Sequence, residues 1–277
     1  MDYHKRFSVL ISAYKNDSAK DFQEAIESIS VRQTLPPNEI IIIIDGPIYE
    51  DLAHTIRNLE KEIPYIRTHW FPENRGLGNA MNMGVNLCSY ELIARMDADD
   101  IAVSDRFEKQ IAFMEIHPEI AVLGGQISEF IGSEDNIVGY RNVPLKPEDC
   151  KKYYQDRDPL NHMTVMLRKS AVLAVGNYRS WHLDEDTYLW GRILKNGYKI
   201  ANLPDVLVNV RVGNAMYARR GGWRYFKSDT GILKWKLDNK LTSKGRFLYN
   251  YFVRFTVQVL MPNLVRAWFF KRMLRNQ

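Results

Sequence analysis

At 277 residues, with 45% hydrophobic and 26% charged side chains, the chain has the composition of a globular protein with a large core, and disorder is excluded. Two cysteines, Cys88 and Cys150, form no spaced metal-ligand pair, which fits a reducing compartment. The net charge of +5 conceals an asymmetry: from Arg219 onward there are 14 Lys and Arg against 2 Asp and Glu, whereas the preceding 218 residues carry 24 against 31. An acidic body with a basic, aromatic tail points to a tail that meets an anionic surface.

Met1 to Arg6 lead straight into an apolar strand pattern, with no long apolar stretch or small-residue cleavage site, so no secretion signal is expected. Phe7 to Ile11 reads as a buried strand. Ser18 with Asp21 opens a helix on which Phe22, Ala25, Ile26 and Ile29 share a face. After Pro36-Pro37, Ile40 to Ile44 is a β-branched run stopped by Asp45-Gly46-Pro47, the pattern of a central parallel strand buried on both faces. Leu52, Ile56 and Leu59 mark a helix, Ile66–Trp70 a strand, residues 77–87 a helix, and Leu92 to Met96 a strand ending in an acidic cluster. Ser104 is expected to cap the helix of Phe107, Gln110, Ile111 and Met114. This alternation predicts an α/β fold with a doubly wound, mainly parallel sheet and helices on both faces. Ligands of such sheets bind at the carboxyl ends of the strands, where Ser12-Ala13-Tyr14, Asp45-Gly46 and Asp97 to Asp100 all fall.

Beyond residue 120, strands are expected at 120–123, 164–167 and 206–210, and a helix at 185–195 closed by Asn196-Gly197. The division expected is a catalytic domain over 1–215 and a basic, aromatic helical region over 216–277.

Asp97-Ala98-Asp99-Asp100 follows a buried strand, and in an extended segment Asp97 and Asp99 project to one side. Hard carboxylate oxygens suit Mg²⁺ or Mn²⁺, which neutralise a diphosphate leaving group. Such a turn alone reads as a solvated helix cap, but the two other polar strand ends beside it favour the metal. Asp184-Glu185-Asp186 opens the later helix, as ordinary capping acids or as the source of a general base for an acceptor hydroxyl.

The order Ser12-Ala13-Tyr14, Asp45-Gly46, Asn74-Arg75-Gly76 with Asn82, Asp97-Ala98-Asp99-Asp100 and Glu185-Asp186 resembles family 2 glycosyltransferases of the GT-A fold, from Phe7 to about Val212. Ile93 to Met96, Asn161 to Met166 and Asp186 to Trp190 support it, and the bacterial exopolysaccharide and O-antigen enzymes, amylovoran-type among them, are the nearest in pattern. The resemblance implies an inverting transferase that moves one hexose from a nucleoside-diphosphate sugar, usually a UDP-sugar, to a polyprenyl-diphosphate-linked saccharide. It implies that Ser12, Tyr14, Asp45, Arg75, Asn82 and Asp97 hold the donor, Asp99 ligates Mn²⁺ or Mg²⁺, and Asp186 is the base. His162, Glu185 and Trp190 would lie on the acceptor side, and Asp184 is a competing base. The proline usual before the tyrosine is replaced by Ala13, Gly46-Pro47 stands where relatives carry a second acid and a serine, and Arg219 to Trp223 matches the processive Arg-Trp signature only in part.

The tail interleaves Phe247, Tyr249, Tyr251, Phe252, Phe255, Trp268, Phe269 and Phe270 with basic residues. Its longest run without a charged side chain, 255–265, is about half a membrane span. Helices lying on anionic lipid at the cytoplasmic membrane face are therefore expected, packing against the catalytic domain being the other reading. A nucleotidyltransferase would place a Gly-rich phosphate loop after the first strand, and residues 12–16 contain no glycine. A nucleic-acid-binding module leaves the acidic strand ends unexplained, so no nucleic-acid partner is expected.

Overall fold

The computed structural model describes residues 6–213 and 222–261; Arg219 to Gly221 and Trp268, Phe269 and Phe270 of the sequence reading lie outside them. The first half alternates β1 (Phe7–Ala13), α1 (Ala19–Ser28), β2 (Glu39–Ile44), α2 (Glu50–Glu62), β3 (Ile66–Trp70), α3 (Leu77–Leu87) and β4 (Leu92–Met96). Then come β5 (Ile101–Ala102), α4 (Arg106–Ile116), β6 (Ile120–Phe130), β7 (Ile137–Arg141), α5 (Pro147–Tyr154), β8 (Met166–Arg168), α6 (Lys169–Ala174), α7 (Glu185–Lys195) and β9 (Lys199–Arg211). Two helices, α8 (Trp223–Asp238) and α9 (Lys244–Phe255), follow, and a π-helical turn (Thr256–Leu260) extends α9.

Among the described residues one nine-stranded sheet runs β3-β2-β1-β4-β8-β6-β9-β5, with β7 beside β6. β3, β2, β1 and β4 are mutually parallel, as the alternating pattern predicts. From β4 onward the sheet is mixed: β8 is antiparallel to both β4 and β6, β9 is parallel to β6, and β5 is antiparallel to β9. The whole is a GT-A arrangement with a C-terminal helical extension.

Each central strand is buried on both faces. Val9, Ile11, Ile40, Ile42 and Ile44 pack with Phe22, Ile26 and Ile56 in one layer, while Leu10, Ile41 and Ile43 join Ala80, Met81, Leu189 and Ile193 in the other. Full burial of each Ile or Phe contributes roughly 1.5–3 kcal/mol. Ser18 caps α1 as expected, its Oγ accepting the Asp21 N–H at 3.3 Å. Ser104 does not cap: Asp105 precedes α4, and the Ser104 carbonyl accepts the Thr34 N–H at 2.8 Å, which holds residue 104 in the connecting loop. The strand expected at 164–167 begins at Met166, because His162–Thr164 closes a 3₁₀ turn in which Thr164 Oγ1 donates to the Asn161 carbonyl at 2.7 Å.

Gly46 fixes how two of the ligand-side loops meet. It has φ +88°, and a Cβ there would lie 2.5 Å from the Asn74 backbone nitrogen. Gly46→Ala therefore combines left-handed strain with a backbone clash that no rotamer relieves. A loss of about 2 kcal/mol or more in urea unfolding is expected, together with weaker binding of nucleoside diphosphate in calorimetry.

Candidate active site

Three strand ends build the first part of the site. β1 ends with half-buried Ser12 and Tyr14, whose N–H donates to Asp17 Oδ2 at 2.9 Å. β2 ends in Asp45, buried, whose carboxylate accepts N–H groups from Arg75 at 2.7 Å and Gly76 at 2.9 Å and the Asn74 amide at 3.0 Å. Asp45 thus ties the second strand end to the 74–76 loop that opens α3. Arg75 itself is exposed, its guanidinium 4.9 Å from the centre of the Phe71 ring. It shares a cleft of about 550 Å³ with Asn82 and Phe71. Asn82 also joins α3 to the 177–178 loop, donating to the Tyr178 carbonyl at 2.8 Å.

The third strand end carries the acids. Arg95, within β4 and only 2% exposed, forms an ion pair with Asp97 through Nη2, while its Nε and Nη1 have no hydrogen-bond partner among the described residues. Burial works against its charge, but Asp97, and after it Tyr178 and Asp186, hold the guanidinium above its ordinary pKa. Asp99 is the exposed member of the cluster, yet the chain crowding its carboxyl from behind and the charge of Asp97 push it up to about 6. Asp100 is buried, raised well above the carboxylate range by that burial and by Asp97 and Asp99, and accepts the Arg211 N–H at 3.0 Å.

Arg211 is a residue the sequence reading missed. From the end of β9 its guanidinium reaches Glu24 at 2.8 Å, Asp21 at 3.3 Å and the Asp99 carbonyl at 3.2 Å, stapling α1 to the acidic loop. No local pattern marks it, since its partners lie more than a hundred residues away.

Asp97 and Asp99 are the hard oxygen donors available to a divalent cation. Among the described residues no group of three or more His, Cys, Asp or Glu is gathered to hold an ion. A cation bound here would have one or two protein carboxylates and would take its other ligands from diphosphate oxygens and water, as Mg²⁺ commonly does.

The first turn of α7 carries the second group of acids, and Asp186 among them contributes to the field at Arg95. Asp186 has about a fifth of its side chain exposed, and its Oδ1 accepts the Thr187 N–H at 2.7 Å. Burial first, then the charges of Asp158, Glu185 and Asp184, raise its carboxyl well above the usual range. His162 Nδ1 lies 3.8 Å from Asp186 Oδ2, too far for a hydrogen bond, and its Nε2 meets the Tyr178 hydroxyl at 2.9 Å. Burial, with Arg95 adding to it, pushes His162 well below its ordinary pKa, so Asp186 faces a neutral imidazole. Asp184 is buried and pushed up to about 7 by desolvation and by Asp158.

Asp184, Asp186 and His162 line a cavity of about 1050 Å³, roofed by α8, α9 and the turn that follows. Of the other acceptor-side residues expected, Glu185 is buried and feels Arg95 and Asp97. Trp190 is wholly buried, and its ring packs edge-on against His162 at 5.8 Å, so it stands behind the cavity wall.

The sequence model of glycosyl transferase family 2 matches residues 8–173. The amylovoran biosynthesis glycosyltransferase AmsE of Erwinia amylovora is 37% identical over 266 residues, 96% of this chain and 98% of its own. The UDP-Gal:alpha-D-GlcNAc-diphosphoundecaprenol beta-1,3-galactosyltransferase of Escherichia coli is 32% identical over 271 residues, 98% and 97% of the two chains. The mannosyltransferase PcManGT of Pyrobaculum calidifontis, solved with GDP-Man and Mn²⁺, aligns with TM-score 0.59 over 95% of this chain and 77% of its own; at 16% identity it is a likeness of fold. The chain belongs to glycosyl transferase family 2 and is a glycosyltransferase.

The Arg95–Asp97 pair has an asymmetric energetic signature. Asp97→Ala strands a buried guanidinium that already has two unpaired nitrogens, whereas Arg95→Leu leaves a carboxylate that water reaches. Urea unfolding should show Asp97→Ala losing on the order of 3 kcal/mol and Arg95→Leu clearly less; the opposite order would mean the pair is not what holds this strand end.

Proposed function

We propose that this glycosyltransferase moves one hexose from a UDP-sugar to a saccharide carried on polyprenyl diphosphate, in bacterial surface-polysaccharide synthesis, with inversion at the anomeric carbon. The carrying observation is Arg95: this buried cation is ion-paired with the strand-end acid Asp97 and also feels the charge of Asp186, so the two carboxylates assigned to donor and acceptor act on one centre. The donor named for the Escherichia coli relative, and its lipid-linked acceptor, agree with this reading.

In this mechanism Ser12, Tyr14, Arg75, Asn82 and Asp97 hold the nucleotide side, with Asp45 shaping the 74–76 loop. Asp99 would hold Mn²⁺ or Mg²⁺, which would supply charge neutralisation for the diphosphate. The acceptor saccharide enters the 1050 Å³ cavity and presents a hydroxyl to Asp186. Asp186 Oδ2 takes the hydroxyl proton as the acceptor oxygen bonds to the anomeric carbon from the face opposite the diphosphate. The bond from that carbon to the diphosphate oxygen breaks, and UDP leaves. Asp186 is preferred to Asp184 as the base because its side chain retains exposure while Asp184 is almost wholly buried. A raised base pKa matches proton transfer near neutral pH.

Transfer from labelled UDP-hexoses to a synthetic diphosphate-linked saccharide tests the reading. Chelation should abolish transfer and Mn²⁺ or Mg²⁺ restore it, while Asp99→Ala stays inactive with excess metal. Asp186→Asn should lower turnover about 10²-fold or more with little change in UDP affinity. Undiminished transfer in chelator, or by Asp186→Asn, would remove the metal or the base from the mechanism, and a retained anomeric configuration would remove the inversion.

We further propose that α9 rests on anionic lipid at the inner membrane face. Its polarity is reversed for a packed helix: Arg246, Asn250 and Arg254, four residues apart, turn inward to Asp156, while Leu248, Tyr249 and Phe252 are exposed, Phe252 by 63%. No helix among the described residues is long and apolar enough to cross a membrane. The full chain should float with anionic vesicles and less with neutral ones, and Leu248→Ser with Phe252→Ser should weaken binding at least about tenfold. A chain that stays at the bottom of the gradient with anionic vesicles would leave the exposed face without this role.

A further inference from the structure

Lys236 lies in the basic C-terminal region that the charge pattern assigns to a surface, yet only 1% of it is exposed. Its Nζ sits 3.8 Å from the centre of the Tyr154 ring and donates to the Tyr154 carbonyl at 2.7 Å. A lysine ammonium held out of water needs compensation well beyond one carbonyl and one ring face. From Tyr154 a continuous chain of hydrogen bonds leads to the first turn of α7. The Tyr154 hydroxyl donates to the Thr187 carbonyl at 2.8 Å, Thr187 Oγ1 donates to Asp158 Oδ2 at 2.6 Å, and the Thr187 N–H donates to Asp186 Oδ1 at 2.7 Å. Thr187 is therefore clasped between two carboxylates, and α8 reaches the same turn through α5.

We propose that Lys236 and Asp158 are a pair of positioning residues for Asp186, the lysine keeping Asp158 charged and the aspartate serving as the orienting anchor, so that the C-terminal hairpin of α8 and α9 is a working part of the active site. The inference rests on Asp186 being the base, as proposed above. Two features separate this arrangement from ordinary packing. First, an apolar residue would fill the Lys236 site without desolvating an ammonium. Second, Lys236 reaches the α7 turn through Tyr154 while Asp158 holds Thr187 directly, so residues from α8 and from the loop after α5 converge on one carboxylate turn.

The electrostatics make Lys236 act on Asp186 through Asp158. Facing Asp186 are Asp184 and Glu185 on its own turn, Asp158 from the loop after α5, Tyr154 from α5, His162 and Tyr178, and Arg95 from β4. Facing Asp158 are Lys236 from α8, Arg254 from α9 and Arg141 from β7. After burial, Asp158 is the leading influence that keeps the Asp186 carboxyl raised, while Lys236 favours the ionised form of Asp158. Lys236 itself is pushed down to about 8 by desolvation, against the pull of Asp158, Asp184 and Asp156. Removing the lysine lets Asp158 hold its proton, which withdraws the leading charge bearing on Asp186, so Asp186 becomes easier to ionise. Removing the Asp158 charge outright does the same. A base must be ionised to act, so the acidic limb of the rate moves with its pKa.

The test is the single-turnover rate of the full chain against pH, at saturating UDP-hexose, metal and diphosphate-linked acceptor, for the wild type, Lys236→Met, Asp158→Asn and Asp186→Asn. Asp158→Asn should move the acidic limb down by roughly one pH unit and Lys236→Met move it down by a smaller step. UDP affinity should change less than twofold in either variant, which separates the effect from general unfolding. Lys236→Arg, which keeps the charge, should keep the limb within a few tenths of a unit of the wild type. Limbs that stay put, or move up in either Lys236→Met or Asp158→Asn, overturn the proposal while a crippled Asp186→Asn leaves the base assignment standing. A wild-type rate in Asp186→Asn overturns both.

Discussion

A guanidinium inside a β-strand, out of reach of water, is tolerable only if negative charge is brought to it. Arg95 imposes that condition at the middle of the sheet. The chain meets it by placing Asp97 directly after β4 in an ion pair with the guanidinium, with the charge of Asp186 on α7 adding to it. A second buried cation, Arg106, donates to the Arg95 carbonyl at 2.7 Å and stands behind the same strand end. Burial, with Arg95 contributing, pulls Arg106 down to about 9. The dense run of acids after β4 is thus matched from within. The same field keeps His162 neutral, so the imidazole beside Asp186 offers a dipole and not a charge. Without the buried arginine, Asp97 would lose its ion-pair partner, and the acidic loop would be held only from the Arg211 side.

The basic C-terminal region obeys the same logic from the opposite direction. Read as a string, its excess of Lys and Arg belongs to a surface. In the folded chain a good part of it is internal: Arg246 meets Asp156, Arg254 meets Asp229, and Lys236 lies among Asp156, Asp158 and Asp184. Gln258 completes this wall by donating to Asp229 at 2.6 Å. Acids in the body and bases in the hairpin are two halves of one neutralised cluster around the larger cavity. What remains turned outward on α9 is mainly apolar. The division expected near residue 215 therefore crosses contacts that shape the cavity wall, and a chain cut near Lys240 would lose part of that wall along with any membrane contact.

The elements legible in the sequence are those whose pattern is set by local burial. The run Ile40 to Ile44 could only be a strand covered on both faces, and residues 66–70, 77–87, 92–96 and 185–195 match their elements to the residue. Gly197, at φ +84°, terminates α7 as Asn196-Gly197 suggested. The reading lost accuracy where pairing decides the structure. β6 and β9 run to 11 and 13 residues, longer than their apolar cores, because they support each other in a bulged parallel ladder. β5 is a two-residue strand held by β9, and no two-residue pattern announces itself. The antiparallel entry of β8 between β4 and β6 is a property of topology that alternation of strands and helices cannot convey. At the site, the acids were legible because they end apolar strands or open a helix. Their partners were not, because Arg211, Asp158 and Lys236 meet them across the chain and carry no local signature.

The contrast between the two sides of the site has a consequence for where selectivity resides. The proposed donor side is made by parallel strand ends, β1, β2 and β4, whose loops are tied to each other and to β9 by Asp45, Gly46 and Arg211. Such loops can change little without disturbing the sheet, and they fall within residues 8–173, the part that the family model matches. The cavity side is assembled from the loop after α5, the first turn of α7 and the hairpin of α8 and α9, with Ile127, Glu129 and Val210 of the sheet in its lining. Most of the helical groups lie beyond residue 173. Substitutions on the hairpin alter the shape and charge of the cavity without replacing a residue of the central strands. A family that keeps one donor chemistry and varies its acceptors would place its variation in this half, and the chain's own charge pattern, acidic body against basic hairpin, is concentrated there.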